Sequence, residues 1–215
     1  MTDAYAYPIA AVIGYLLGSS NLAFFLSKLN RRTDIRNVGT GNPGASNTMM
    51  LYGWKAGVAV GVHDIGKAII AVLVAGLLFA RLPLIRETAG AACVMGHLFP
   101  FYMGFRGGKG FASYLGMIIG LNWLFALGLG AAIIVSVLIT DYIVVGTMIT
   151  VISYPVYCAI TGNYGAAALL SVVTAFIIYK HRENFRRILN GTEVGLRKAH
   201  RGDMRIKNEQ GRDDR

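Results

Sequence analysis

Apolar residues run in long stretches along most of the chain, and polar residues gather in the gaps between them. Seven such runs can be drawn, at 6–28, 54–80, 86–103, 110–121, 122–139, 141–160 and 163–180. A helix that crosses a bilayer needs about 20 predominantly apolar residues, with a working range near 17–25. The pattern predicts an all-α polytopic membrane protein with about seven transmembrane helices. The run at 110–121 is short and reads as a half-helix or a tilted span, and six spans is the fallback count. Glycines spaced by four, at Gly14/Gly18, Gly57/Gly61 and Gly116/Gly120, predict helices that approach one another closely. Trp54 and Trp123 fall where aromatic side chains anchor helices at the membrane surface.

Charge sharpens this picture. Charged residues are 15% of the chain and hydrophobic ones 54%, whereas a soluble domain carries about 25% charged residues. Eleven of the 21 Lys and Arg lie from Lys180 onward. The remaining charges cannot cover a soluble surface. This excludes an ordinary cytosolic globule, a disordered chain and a nucleic-acid module. The net charge of +10 therefore reads as topology and contact with anionic lipid. Lys28, Arg31, Arg32, Arg36 and Lys55 fill the first loop, and Arg106 and Lys109 the third; Arg81 and Arg86 oppose the bias. Seven spans put the basic loops on the cytoplasmic side, with the N-terminus outside and the C-terminus cytoplasmic. Residues 1–195 read as a single integral membrane domain, and 196–215 as a basic, polar cytoplasmic tail expected to be disordered. The chain start lacks a basic n-region, so the first run is expected to be retained as a span. Cys93 and Cys158 sit in different apolar runs with no metal-like or CxxC neighbours, and read as small core hydrophobes.

Four polar clusters carry candidate chemistry. The stretch from Asp34 to Thr48 alternates Gly with small polar residues. Such a backbone turns sharply, and its N–H groups can converge on an anion; Arg36 adds a planar fork suited to phosphate. A flexible polar loop is the plain alternative. The second cluster, Gly104-Phe105-Arg106-Gly107-Gly108-Lys109-Gly110, opens an apolar helix. Glycines before a helix start can form an anion site, with Lys109 as a point charge; a basic turn that fixes topology is the plain alternative. It is not a Walker A loop: Met103 and Gly110 stand where that motif needs Gly and Ser or Thr. The third cluster runs from Lys180 to Arg187, with Gly191-Thr192-Glu193 following. A basic stop to the last helix explains its charges. It does not explain His181 and Asn184, which share one helix face and could serve a phosphate or a proton. The fourth, His63-Asp64 with Lys67, lies inside an apolar run, where charge is costly; Asp64 and Lys67 are spaced to pair. His97, before Leu98-Phe99-Pro100, reads as a helix-end hydrogen bonder.

The chain has no Gly-x-Ser-x-Gly elbow and no His-Glu-x-x-His. No His is followed five residues later by Asp, and no carboxylate cluster marks a metal site. The polar face looks built for small anions, two phosphates at the lipid boundary.

These residues, in this order, resemble the bacterial PlsY family, the acyl-phosphate-dependent glycerol-3-phosphate acyltransferases. The resemblance covers residues 10–195. It is carried by Gly18-Ser19, by Asp34-x-Arg36 running through to Asn47, by Gly96-His97-x-x-Pro100, by Phe105 to Gly110, and by His181 to Asn184 with Gly191-Thr192-Glu193. It implies a seven-helix fold in the bacterial inner membrane, with the active site at the cytoplasmic face. It implies acyl transfer from acyl phosphate to the 1-hydroxyl of glycerol 3-phosphate, giving lysophosphatidate and phosphate for phospholipid synthesis. On this resemblance Thr40, Lys109, His181 and Asn184 are the catalytic set. Arg36, Gly41, Asn42, Asn47, Gly107, Gly108, Gly110 and Glu193 are the substrate-binding set. No metal or cofactor is implied; the partners are the two substrates, membrane lipids and, as candidates, other phospholipid-synthesis enzymes. Three positions depart from the family pattern: Thr40 replaces Ser, Met50 replaces Arg, and Ala68 replaces Gly. Two other readings stay open: a divergent relative that is non-catalytic or takes a different acceptor, and a small-anion transporter lined by His63, Asp64 and Lys67.

Overall fold

In hydrocarbon every backbone N–H and C=O must find a partner inside the protein, which leaves helices as the economical structure for apolar runs. The structure, a computed structural model, describes residues 3–31, 33–193, 195 and 197, and it is helical throughout, with no strand among the described residues. The helices are α1 (Ala6–Ser19), α2 (Leu22–Arg31), α3 (Ala45–Tyr52), α4 (Trp54–Leu78), α5 (Ile85–Leu98), α6 (Phe111–Leu121), α7 (Trp123–Thr140), α8 (Ile143–Ile160), α9 (Tyr164–Lys180) and α10 (Arg182–Leu189). Four stretches among the described residues are long and apolar enough to cross a membrane: Ala6–Asn30, α4, α7 and α8; α9 with α10, bent by 48°, makes a fifth. The runs at 86–103 and 110–121 fold as the shorter α5 and α6. Leu77, Ile139 and Ile160 are 83%, 77% and 80% exposed. A surface this apolar suits lipid and not water. The tail at 196–215 lies outside the described residues except for Arg197, whose backbone N–H donates to Asp141 at 2.9 Å.

Small residues set the helix spacing, as the glycine pairs predict. A Cβ on Gly14 or Gly18 would overlap carbonyls of Ala89 and Cys93, so α1 lies directly on α5. Gly116 likewise brings α6 onto the backbone of α4 at Ile65. Side-chain oxygens start two of the helices: Asn122 accepts from Phe125 N–H at 3.0 Å, and Asn163 from Ala166 N–H at 3.2 Å. Pro155 lies inside α8 and cannot donate to the carbonyl four residues back, that of Val151. That carbonyl accepts instead from Thr174 Oγ1 of α9 at 2.7 Å and from Tyr114 Oη of α6 at 3.3 Å. One proline thereby ties three helices together.

Cross-links define two ends of the bundle. At one end Tyr7 donates to Pro83 O, and Leu84 packs on Gly165. At the other, Arg36 reaches Met103 O, Lys109 reaches Asn184, and Arg197 reaches Asp141. Three of the four polar clusters meet at this second end. The fourth lies on α4, beside the Ser20–Asn21 break between α1 and α2.

Candidate active site

The glycine-rich stretch after Asp34 is held by its own side chains. Asp34 caps the turn by accepting from Arg36 N–H at 3.0 Å, and its carboxylate grips the Arg36 guanidinium at 3.0 and 2.7 Å. This ion pair holds the Asp34 carboxyl below its usual range, and raises Arg36. Asn47 is fully buried; its Oδ1 accepts from Thr40 N–H at 2.9 Å, and its Nδ2 donates to Ile35 O and Val38 O at 3.3 and 3.0 Å. Gly41 N–H donates to Val38 O, and Gly44 N–H to Asn42 O. The expected nest of converging N–H donors is therefore not formed at Thr40, Gly41 and Gly44. These groups are spent on the loop itself, and Asn47, assigned to substrate by resemblance, has its amide committed to shaping it. Thr40 remains exposed on the loop, beside Gly41 and Asn42. Asn21, which the sequence reading passed over, pins this loop by donating to Pro43 O at 3.1 Å while accepting from Phe24 N–H at 2.8 Å. Its place just before α2 is the signal that could have found it.

The second loop corrects another expectation. Gly107 N–H donates to Leu98 O and Gly108 N–H to His97 O, both at 3.1 Å. Neither offers its donor to an anion. They are glycines because a Cβ on Gly107 would overlap the His97 carbonyl, and one on Gly108 the His97 ring. Gly110 has φ +90° and starts α6, where backbone N–H groups of the first turn have no partner within the helix. The donors this loop does not spend on α5 are thus Lys109 and the first turn of α6 after Gly110.

Lys109 heads a chain of polar contacts. Its Nζ donates to Asn184 Oδ1 at 2.6 Å; Asn184 Nδ2 donates to Glu193 Oε1 at 2.5 Å; and Arg187 Nε donates to Glu193 Oε2 at 2.5 Å. Burial, then the nearby Arg187 charge, lowers the Lys109 pKa, with Glu193 opposing. His181, at the bend between α9 and α10, is buried, and burial pushes its imidazole down to about 4. Its Nδ1 lies 2.8 Å from Ile177 O. A carbonyl can only accept, so Nδ1 carries the proton and Nε2 keeps its lone pair. The structure thus brings Lys109, His181, Asn184 and Glu193 together. Arg187, missed in the sequence, completes the chain. Among the described residues no hydrogen bond joins Thr40, Gly41 or Asn42 to this group; their loop connects through Arg36 Nη1 on Met103 O.

The intramembrane charges pair as their spacing predicts, with Lys67 Nζ 2.9 Å from Asp64 Oδ1. They also gather groups no spacing rule shows. Lys67 donates to Ser20 O at 2.7 Å and to His97 Nδ1 at 2.9 Å, while His63 touches Asp64 Oδ1 and Ser20 Oγ at 3.3 and 3.0 Å. The Asp64 and Lys67 side chains are 3% and 4% exposed. Asp64 and Lys67 are thus closed off and bonded to one another rather than lining a conduit, which weakens the case for an anion transporter; His63 alone of the set is 29% exposed. Among the described residues no group of His, Cys, Asp and Glu could hold a metal. A cavity of about 570 Å³ lies at the other end of α5, beside Leu77, Arg86 and Glu87, and takes no part in this site.

A polytopic helical bundle, with a polar chain that starts from a half-buried lysine at one rim, defines an integral membrane protein of the multi-pass helical class. The comparisons narrow that class. A family model described as glycerol-3-phosphate acyltransferase matches residues 8–191, and the chain belongs to that family. It is 39% identical over 184 residues to a glycerol-3-phosphate acyltransferase of Brucella canis, covering 86% of this chain and 90% of that protein. The Brucella anthropi protein of the same name is 40% identical over the same shares. A crystal structure of PlsY, an integral membrane glycerol 3-phosphate acyltransferase, in its glycerol 3-phosphate form superposes with a TM-score of 0.81. It is 33% identical, covering 88% of this chain and 95% of that one. Its lysophosphatidic acid form gives 0.78 at 31% identity. The chain is a multi-pass membrane protein of this fold.

Proposed function

We propose that this protein transfers a fatty acyl group from acyl phosphate to the 1-hydroxyl of glycerol 3-phosphate, in phospholipid synthesis. It acts in the bacterial inner membrane with the site at the cytoplasmic face. The seven passes are α1 with α2, α4, α5, α6, α7, α8 and α9, and the N-terminus is outside. The observation that carries the reading is the chain from Lys109 through Asn184 to Glu193, set at a helix start in a protein of this family.

The chemistry asks little covalent help from the protein. Acyl phosphate is already activated, and its leaving group is a stable anion. The acceptor hydroxyl oxygen attacks the acyl carbonyl carbon. The new ester C–O bond forms, the bond to the phosphate oxygen breaks, and phosphate leaves with the electron pair. The hydroxyl proton passes to a substrate phosphate oxygen. The protein has to bring two anions together and stabilise the charge that develops. Lys109, steered by the Asn184 oxygen, supplies a cation with N–H bonds to spare. The Gly110 start of α6 adds dipole. His181, neutral at pH 7, keeps its Nε2 lone pair to accept from the 2-hydroxyl of glycerol 3-phosphate, which takes no part in the attack. Thr40, Gly41 and Asn42 close the site from the opposite loop.

The test is purified protein with acyl phosphate and labelled glycerol 3-phosphate. Labelled lysophosphatidate that disappears in Lys109→Ala supports the assignment. No product from folded protein would sink it and favour another acceptor or a binding role.

A further inference from the structure

We propose that Lys67 is a positioning residue for acyl transfer: acting through His97, it fixes the platform on which the Gly107–Gly108 segment, and hence Lys109, is seated. The proposal rests on the assignment of Lys109 to the active site. An ammonium has three protons, and all three have partners here: Asp64 Oδ1 at 2.9 Å, Ser20 O at 2.7 Å and His97 Nδ1 at 2.9 Å. Nδ1 of His97 also lies 3.5 Å from Asp64 Oδ1, but the shorter contact is to an ammonium, which can only donate; Nδ1 is therefore the acceptor, and this ring holds its proton on Nε2. The Nε2 edge lies under the glycine loop, because a Cβ on Gly108 would overlap it. The loop also hangs from the same end of α5, through Gly108 N–H on His97 O and Gly107 N–H on Leu98 O. Lys109 is the next residue.

The same ammonium holds a second element. Its bond to Ser20 O serves a carbonyl at the α1–α2 break, and the neighbouring Ser19 O accepts from Tyr102 Oη at 2.7 Å. Tyr102 lies on the segment leading into the glycine loop. Lys67 therefore references the helix break, the end of α5 and the loop to one point. A charge buried in a membrane helix is costly to retain. An apolar contact could hold the helices together, but it would not dictate the face and proton of the His97 ring.

The experiment separates positioning from stability. In the double variant Asp64→Leu, Lys67→Met both charges go together, and removing a buried pair whole is commonly close to neutral for folding. Unfolding temperature, KM and kcat are measured in detergent for this variant, for Lys109→Ala and for the natural chain. The expected result is a folded double variant whose kcat falls about 10- to 150-fold, the loss typical of one charge-assisted hydrogen bond, with KM for glycerol 3-phosphate little changed. A folded double variant with undiminished kcat overturns the proposal. If the double variant does not fold, two His97 variants decide. The Asn oxygen can stand at the Nδ1 position and accept from Lys67, whereas a Gln amide stands at Nε2. His97→Asn should keep at least about tenfold more kcat than His97→Gln, and equal activities overturn the proposal. Full activity in Lys109→Ala would instead refute the site assignment, a different failure from loss of the Lys67 effect.

Discussion

Two lysines meet at one histidine and do opposite things: Lys67 bonds to the His97 ring, and Lys109 follows the glycine packed against it. Lys67 is 4% exposed, and each of its three protons has a partner, one of them a carboxylate. Lys109 is half-buried at the rim, and its hydrogen bond among the described residues goes to a neutral amide oxygen. Desolvation acts on both. At Lys67 it is offset inside the protein, so nothing is left over for a ligand. At Lys109 it is offset only in part, and under the proposed function the shortfall is what an arriving phosphate relieves. A saturated cation builds structure; an unsaturated one has donors left for a ligand.

Exchanging the losses breaks the comparison if it is wrong. Lys67→Ala leaves Asp64 charged without its main partner, and should destabilise the fold by about 3–5 kcal/mol, read as lost thermal stability in detergent. Lys109→Ala should instead leave stability within about 1 kcal/mol and lower kcat/KM about 100-fold in the acyl-transfer assay. A third expectation concerns pH. Burial holds the folded His181 imidazole down at about 4, against about 6.5 for an unfolded His, so the unfolded chain binds more protons between these values. Stability is fully present above 6.5 and falls with pH, by roughly 2 kcal/mol on reaching pH 5. Urea or thermal melts of the natural chain against His181→Asn should show that slope only in the former. The smallest effect is at Met50, which is 55% exposed on α3. Met50→Arg should lower KM for glycerol 3-phosphate by about tenfold at most with no change in melting. An unchanged KM would mean that α3 does not face the acceptor.

Much of the fold was legible because hydrocarbon permits few structures. Each apolar run became helix, and the Gly14/Gly18 and Gly116 close approaches followed from residue size. The run at 6–28 was less legible: its Ser19-Ser20-Asn21 interruption breaks the helix, and the freed carbonyls of Ser20 and Ser19 accept from Lys67 and Tyr102, both distant in sequence. The same limit applies in the site. Asp64 with Lys67 could be read from spacing along one helix; His97 as their third member could not. Gly107 and Gly108 were read as anion donors because glycine before a helix start permits that. Their N–H groups are used by α5, and the reason for glycine is contact with His97. Composition identifies a glycine but not which of its two properties, exposed donor or absent side chain, the fold uses. Lys109, His181, Asn184 and Glu193 do converge, whereas Arg187 looked like one more charge in a basic stop.

The Asn184 amide is oriented by an ammonium 75 residues earlier and a carboxylate nine residues later. The ammonium can only donate and the carboxylate only accept, so the two charges agree on one orientation of the amide. A flipped amide would set its Nδ2 against Lys109 and its oxygen against Glu193. Asn184 is thus a one-way connector: it joins a cation to an anion that do not touch, and it fits between them in a single sense.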